Sequence, residues 1–260
     1  MSEMPNYIEG VPCWVDTLQP DPDAAANFYG KLFGWTFAGP CPMPNGEKYF
    51  VAQLKGRDVA GVASMPAEVP RPCWSTYVLV DDIEAACRRA REAGGMVLVA
   101  PTAAPPAGTF AVLRDPTGGI MGVWQAQERA GAQMVNAPAC WTMNQLTTGD
   151  AERAAAFYKA VFGWETQSFG EGGAFTLFRL PNYVGGVPQQ PVARDVVAVM
   201  NQGDGDAYWS VDFRVSDVDT TADLVAQLGG VVVVAPFDTG FSRNAVLQDP
   251  QGAVFSIHSV

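Results

Sequence analysis

The chain has 260 residues, 48% of them hydrophobic, and a formal net charge of −11 from 27 acidic and 16 basic side chains. That length favours two domains of ordinary size, and that hydrophobic share favours packed cores over disorder. The acidic balance argues against nucleic acid as a partner, because nothing supplies the basic surface that phosphates require; it reads first as a solvated surface and could draw in cationic ligands.

The N-terminus, MSEMPNYIEG, has neither a basic stretch nor an apolar run, so no signal peptide is expected. No segment approaches the roughly 20 apolar residues of a membrane span. Five cysteines (Cys13, Cys41, Cys73, Cys87 and Cys140) show no CxxC and no Cys–His cluster, which points to a reduced, cytoplasmic compartment.

The first long element, Trp14 to Trp35 (WVDTLQPDPDAAANFYGKLFGW), returns as Trp141 to Trp164 (WTMNQLTTGDAERAAAFYKAVFGW), so the chain is a tandem duplication. Asp21, Phe28, Tyr29, Phe33, Gly34 and Trp35 fall on Asp150, Phe157, Tyr158, Phe162, Gly163 and Trp164. Each copy reads as strand, capped helix, strand. Asp21 and Asp150 suit the N-cap and Pro22 the first helical position. Phe28, Leu32 and Phe33, like Phe157, Val161 and Phe162, form one stripe at helical spacing.

Within each copy a second module follows. One opens at Trp74 with a helix capped by Asp81 or Asp82; the other opens at Trp209 with a helix capped by Ser216 or Asp217. Gly94-Gly95 and Gly229-Gly230 stop those helices. Apolar strands MVLVAP and VVVVAP come next, then turns at Asp115-Pro116-Thr117-Gly118 and Asp249-Pro250-Gln251-Gly252, then closing strands. In the third module the last strand is expected at 184–188, with 188–205 as a connector or lid. The sum is an α+β chain of four βαβββ modules. Residues 8–127 form one domain, 128–137 a polar linker and 138–260 a second domain.

Paired βαβββ modules, the FGW helix end and the closing DPxG turn resemble the vicinal oxygen chelate superfamily, in its tandem-domain actinobacterial type. That group includes glyoxalase I, extradiol dioxygenases, and the bleomycin and fosfomycin resistance proteins. The resemblance implies half-open barrels, each curled around a pocket. Metal-using members place His, Gln or Glu at inward strand positions. Counted from the landmarks, those positions fall here on Trp14, near Gly61, Ser75 and Gly122, and on Met143, near Gly186, Ser210 and Ser256. None is a usual divalent-metal ligand, and the chain has one histidine, His258. Neither a metal nor any other cofactor is expected.

Strand alternation then gives the ligand-lining set. The first pocket has Trp14, Asp16, Ser75, Tyr77, Gly122 and Trp124, with open space at Gly122, and suits a flat apolar ligand. The second has Met143, Gln145, Ser210, Asp212, Ser256 and His258; it is more polar and better suited to proton transfer. The recurring tryptophans Trp14, Trp74, Trp141 and Trp209 read first as packing. Asp16 and Asp212 divide evenly between a functional role and a watered edge. His258, near the C-terminus, reads by default as solvated, with Asp212 its one nameable partner if it acts as a base. The catalytic candidates are Asp212, His258, Asp16 and Tyr77. Two functions remain: a metal-independent binding protein for a small, aromatic or antibiotic-like natural product, or a metal-independent lyase, isomerase or hydroxylase-like enzyme on such a molecule. The partner is a small-molecule ligand, with neither nucleic acid nor membrane. The chain supplies its own pseudo-twofold as a monomer, with at most a weak homodimer.

Overall fold

The computed structural model describes residues 7–42, 47–169, 175–185 and 192–260. In the first half, β1 (Pro12–Gln19), α1 (Pro22–Phe33), β2 (Thr36–Pro42), β3 (Lys48–Leu54) and β4 (Arg57–Ser64) make one module. β5 (Cys73–Leu79), α2 (Ile83–Glu92), β6 (Met96–Ala104), β7 (Gly108–Arg114) and β8 (Ile120–Ala126) make the next. Their strands join in one eight-stranded sheet, ordered β2-β3-β4-β1-β5-β8-β7-β6. The second half repeats the plan with β9 (Cys140–Thr148), α3 (Ala151–Phe162), β10 (Glu165–Phe169), β11 (Phe175–Arg179) and β12 (Val196–Gln202). It continues with β13 (Tyr208–Arg214), α4 (Val218–Gln227), β14 (Val231–Asp238), β15 (Arg243–Gln248) and β16 (Val254–Ser259). That sheet runs β10-β11-β12-β9-β13-β16-β15-β14, so the α+β tandem architecture holds. In both sheets two modules meet at a central antiparallel pair, β1 with β5 and β9 with β13, flanked by parallel pairs.

Local chemistry sets the helices. Asp21 and Asp150 accept from Ala24 N and Arg153 N, each at 3.0 Å, and Gly34 and Gly163 close the two helices in the left-handed region. Of the paired cap options, Asp82 and Asp217 do the capping.

The helix-bearing faces of the two sheets meet, so the apolar interior is shared. One cluster joins Phe28, Tyr29, Phe33, Trp35 and Trp74 to Phe213, Phe255 and Ile257. The other joins Val78, Ile83 and Cys87 to Phe157, Tyr158, Trp164 and Phe178. The repeat motifs bond across this seam. Tyr29 OH donates to Asp249 Oδ2 at 2.8 Å and accepts from Trp74 Nε1 at 3.0 Å. Reciprocally, Tyr158 OH donates to Asp115 Oδ2 at 2.6 Å and accepts from Trp209 Nε1 at 2.7 Å. The aspartate of each Asp-Pro-x-Gly turn therefore does two tasks. Its other oxygen gathers backbone N–H groups of its own turn, as Asp249 Oδ1 does from Gln251, Gly252 and Ala253. Trp35 and Trp164 reach backbone carbonyls of Ala139 and Gly10 across the same seam.

One expectation changes. The last strand of the third module is Val196–Gln202, inside the segment read as a connector; residues 186–191 of the expected strand and connector lie outside the described residues. The polar linker is packed: Ala132 and Val135 are buried, and Ala132 N donates to Cys13 O at 2.8 Å. The apolar strands β6 and β14 are sheet edges that expose Met96, Leu98, Val231 and Val233.

Candidate functional site in two unequal cups

The residues expected to line the two pockets lie on the sheet faces turned away from the helices, here termed cups. In the first, Trp14 lies opposite Tyr77, Asp16 between Ser75 and Gly61, and Tyr77 beside Gly122. Trp14 Nε1 donates to Tyr49 OH at 2.8 Å, and Tyr49 OH donates to Asp16 Oδ2 at 3.3 Å. Asp16 is buried on a central strand, not at a watered edge, and its Oδ1 has no hydrogen-bond partner among the described residues. Burial pushes its carboxyl up to about 7, outweighing the hydrogen bonds from Tyr49 and Tyr77.

The open space expected at Gly122 is taken. A Cβ there would lie 2.2 Å from the Tyr77 ring, and one at Gly61 would lie 2.1 Å from the Tyr49 hydroxyl. Two glycines thus make room for two tyrosines of neighbouring strands. Trp124 Nε1 donates to Arg129 O at 2.8 Å, tying the following segment to the cup.

In the second cup, Met143 lies opposite Asp212, Gln145 opposite Ser210, and Asp212 beside Ser256. Asp212 and His258 are 5% and 3% exposed, and Asp212 Oδ2 bonds His258 Nδ1. The solvated reading of His258 fails because β16 runs between β13 and β15, so the ladder holds the residue in place despite its nearness to the terminus. In the neutral tautomer that donates Nδ1–H to an Asp212 carboxylate, Nε2 is the acceptor. That Nε2 is buried and without a partner among the described residues. Nearby, Asn201 Nδ2 donates to Gln145 Oε1 at 3.2 Å and Ser210 Oγ donates to Gln145 O at 3.4 Å.

This cup also has an apolar wall that sequence reading missed. Met143, Leu177 and Val196 cluster apart from the two main cores, with Phe175 and Val199 against them. Phe169 and Phe175 stack at 5.6 Å between centroids. The missed residues come from β10 to β12, where the strand had been set too early. The metal-ligand position counted near Gly186 lies outside the described residues, and the β12 register sets Val199 beside Gln145. All four opening tryptophans pack: Trp14, Trp74 and Trp141 lie in one core cluster, Trp209 packs against the other, and the Trp14 indole bonds Tyr49.

A model of the Glyoxalase/Bleomycin resistance protein/Dioxygenase superfamily matches residues 14–121, and one of a glyoxalase-like domain matches residues 142–258. CFP32 of Mycobacterium tuberculosis, which bears a glyoxylase name, is 38% identical over 99% of this chain and 97% of its own length. The chain belongs to the glyoxalase/bleomycin resistance/dioxygenase superfamily. A second relative, the anthracycline biosynthesis protein DauV of Streptomyces sp., is 32% identical over 98% of this chain and 94% of its own. Among solved structures, the Mn(II)-bound glyoxalase of Novosphingobium aromaticivorans matches with TM-score 0.65 at 16% identity, covering 100% of this chain and 83% of that one. The 2,3-dioxygenase LapB of Pseudomonas sp. KL28 matches with TM-score 0.66 at 13% identity, covering 96% and 91%. These two share the fold.

Three inward strand positions do not suit a divalent ion. Gly61, Gly122 and Val199 offer no donor side chain, and tyrosine rings fill the space at the two glycines. Among the described residues no group of three His, Cys, Asp or Glu side chains could hold an ion.

Proposed function

We propose that the second cup binds a small, flat, hydroxylated aromatic molecule of natural-product type and does so without a metal. The carrying observation is His258: its Nδ1 bonds Asp212 and its Nε2 is buried without a partner among the described residues. Buried polar atoms are rarely left unmade, and a ligand hydroxyl, which can donate or accept, is the fitting partner. The Met143, Leu177 and Phe175 wall suits the ring system, and Gln145, Ser210 and Ser256 give polar groups for orientation. The anthracycline biosynthesis name of DauV agrees with a ligand of that kind.

The same dyad favours a second reading, proton transfer on the bound molecule. A histidine whose tautomer is set by a carboxylate can take a proton from a phenol or enol at Nε2. Binding alone needs only the hydrogen bond.

The test is a titration of intact protein with a hydroxyanthraquinone. His258→Ala and Asp212→Asn should each weaken binding by about 1–3 kcal/mol. If Trp14→Ala abolishes binding while His258→Ala leaves it unchanged, the ligand sits in the first cup instead. Metal analysis of mildly purified protein should give well under one equivalent of Zn, Ni, Fe or Mn per chain; near one equivalent, lost on chelation, would overturn metal independence.

A further inference from the structure

The first cup has the walls of a cation site. Its face carries the indole of Trp14, the rings of Tyr49 and Tyr77, and the carboxyls of Asp16 and Asp58. Electron-rich ring faces beside a carboxylate such as that of Asp58 are what a planar cation seeks. Asp16 adds a buried oxygen, Oδ1, with no partner among the described residues.

A cation of the chain already stands there. The guanidinium of Arg129 lies over the Trp14 ring, 5.2 Å from its centroid, and ion-pairs with Asp58. Gln53 Nε2 holds the other Asp58 oxygen at 2.8 Å, so that carboxylate is aimed. The segment carrying Arg129 is strapped down on both sides. Arg129 N donates to Ala107 O at 3.1 Å, Trp124 Nε1 donates to Arg129 O at 2.8 Å, and Gln133 N donates to Asp58 O at 2.7 Å. The supposed linker is a strap across the first cup.

We propose that the first cup is a recognition site for a planar cation of the guanidinium class, and that Arg129 fills it in cis. An external molecule carrying such a group enters only by displacing Arg129. This is independent of the second cup and of its ligand.

The probe is methylguanidinium, at concentrations well below denaturing ones, read by tryptophan fluorescence and by thermal midpoint. Arg129→Ala should show a saturable fluorescence change and a raised midpoint with the probe. Wild type should bind it at least about tenfold more weakly, since its own guanidinium competes for the same ring face. The double variant Arg129→Ala with Asp58→Asn should lose the response. Arg129→Gln, which keeps the stem of the side chain, is read in the same way should Arg129→Ala not fold. A folded Arg129 variant with no saturable response overturns the proposal. So does an equal response in wild type and in the double variant, which would mark general solvation of the chain.

Discussion

Single residues in the first cup carry charge and volume that can be measured directly. The unfolded Asp16 carboxyl ionises near its ordinary value, whereas in the fold burial holds it protonated up to about 7. Between those values the folded state binds the extra proton. Stability contributed by this group therefore falls as pH rises from about 4 and levels off above about 7, by at most roughly 4 kcal/mol. Asp16→Asn, which cannot ionise, should flatten that slope and gain on wild type between pH 5 and pH 8 in urea melts; an unchanged slope would show that Asp16 titrates normally. Gly122 tests volume. Gly122→Ala sets a Cβ into the Tyr77 ring and should cost about 1–3 kcal/mol. Combined with Tyr77→Ala the cost should shrink, giving a coupling in the double-mutant cycle. Side-chain identity at both residues was legible in the sequence. That the glycine volume belongs to tyrosine was not, because the ring comes from another strand.

At the scale of elements, the FY helix and the Asp-Pro-x-Gly turn each look locally complete. The helix has its cap and its stripe, and the turn has its proline and glycine. Their joint purpose is visible only where Tyr29 meets Asp249 and Tyr158 meets Asp115. Tyr29→Phe and Tyr158→Phe remove one buried donor each from a carboxylate and should each destabilise by about 1.5–3 kcal/mol in chemical denaturation. Values within a few tenths of zero would mean that water replaces the hydroxyl. Strand β12 shows the opposite failure. Its residues, VVAVMNQ, carry β-branched side chains, yet they follow a glycine- and proline-rich run that drew the strand boundary too early. Placing β12 correctly is what brings Val199 and Asn201 into the second cup.

For the whole molecule, the decisive feature is that neither half owns its interior. Apolar side chains from both halves fill each main cluster, and α1 packs against α4 as α2 packs against α3. Residues Met1 to Gln133 expressed alone should leave Tyr29, Phe33, Trp35 and Trp74 facing water. They should then dimerise or aggregate on a sizing column, as exposed apolar faces do. A stable monomeric half with a cooperative melt would contradict the shared core. Among the described residues no helix is long and apolar enough to cross a membrane.

What the sequence determined by itself is whatever depends on near neighbours. Helix caps, helix stops, the Asp-Pro-x-Gly turns and the duplication all rest on spacings of a few residues or on one fixed offset, and each stands in the fold. Strand alternation set which residues share a sheet face, and Asp212, the one partner nameable for His258, does bond it. Tertiary structure alone decided what distant segments do to one another. Arg129 closes one cup, Tyr77 fills Gly122, and β16 sits inside its sheet so that His258 is buried. The physical reason is that burial and free volume are properties of the assembled sheets: a residue's own type sets what it can bond, but only packing sets whether water or another side chain occupies the space in front of it.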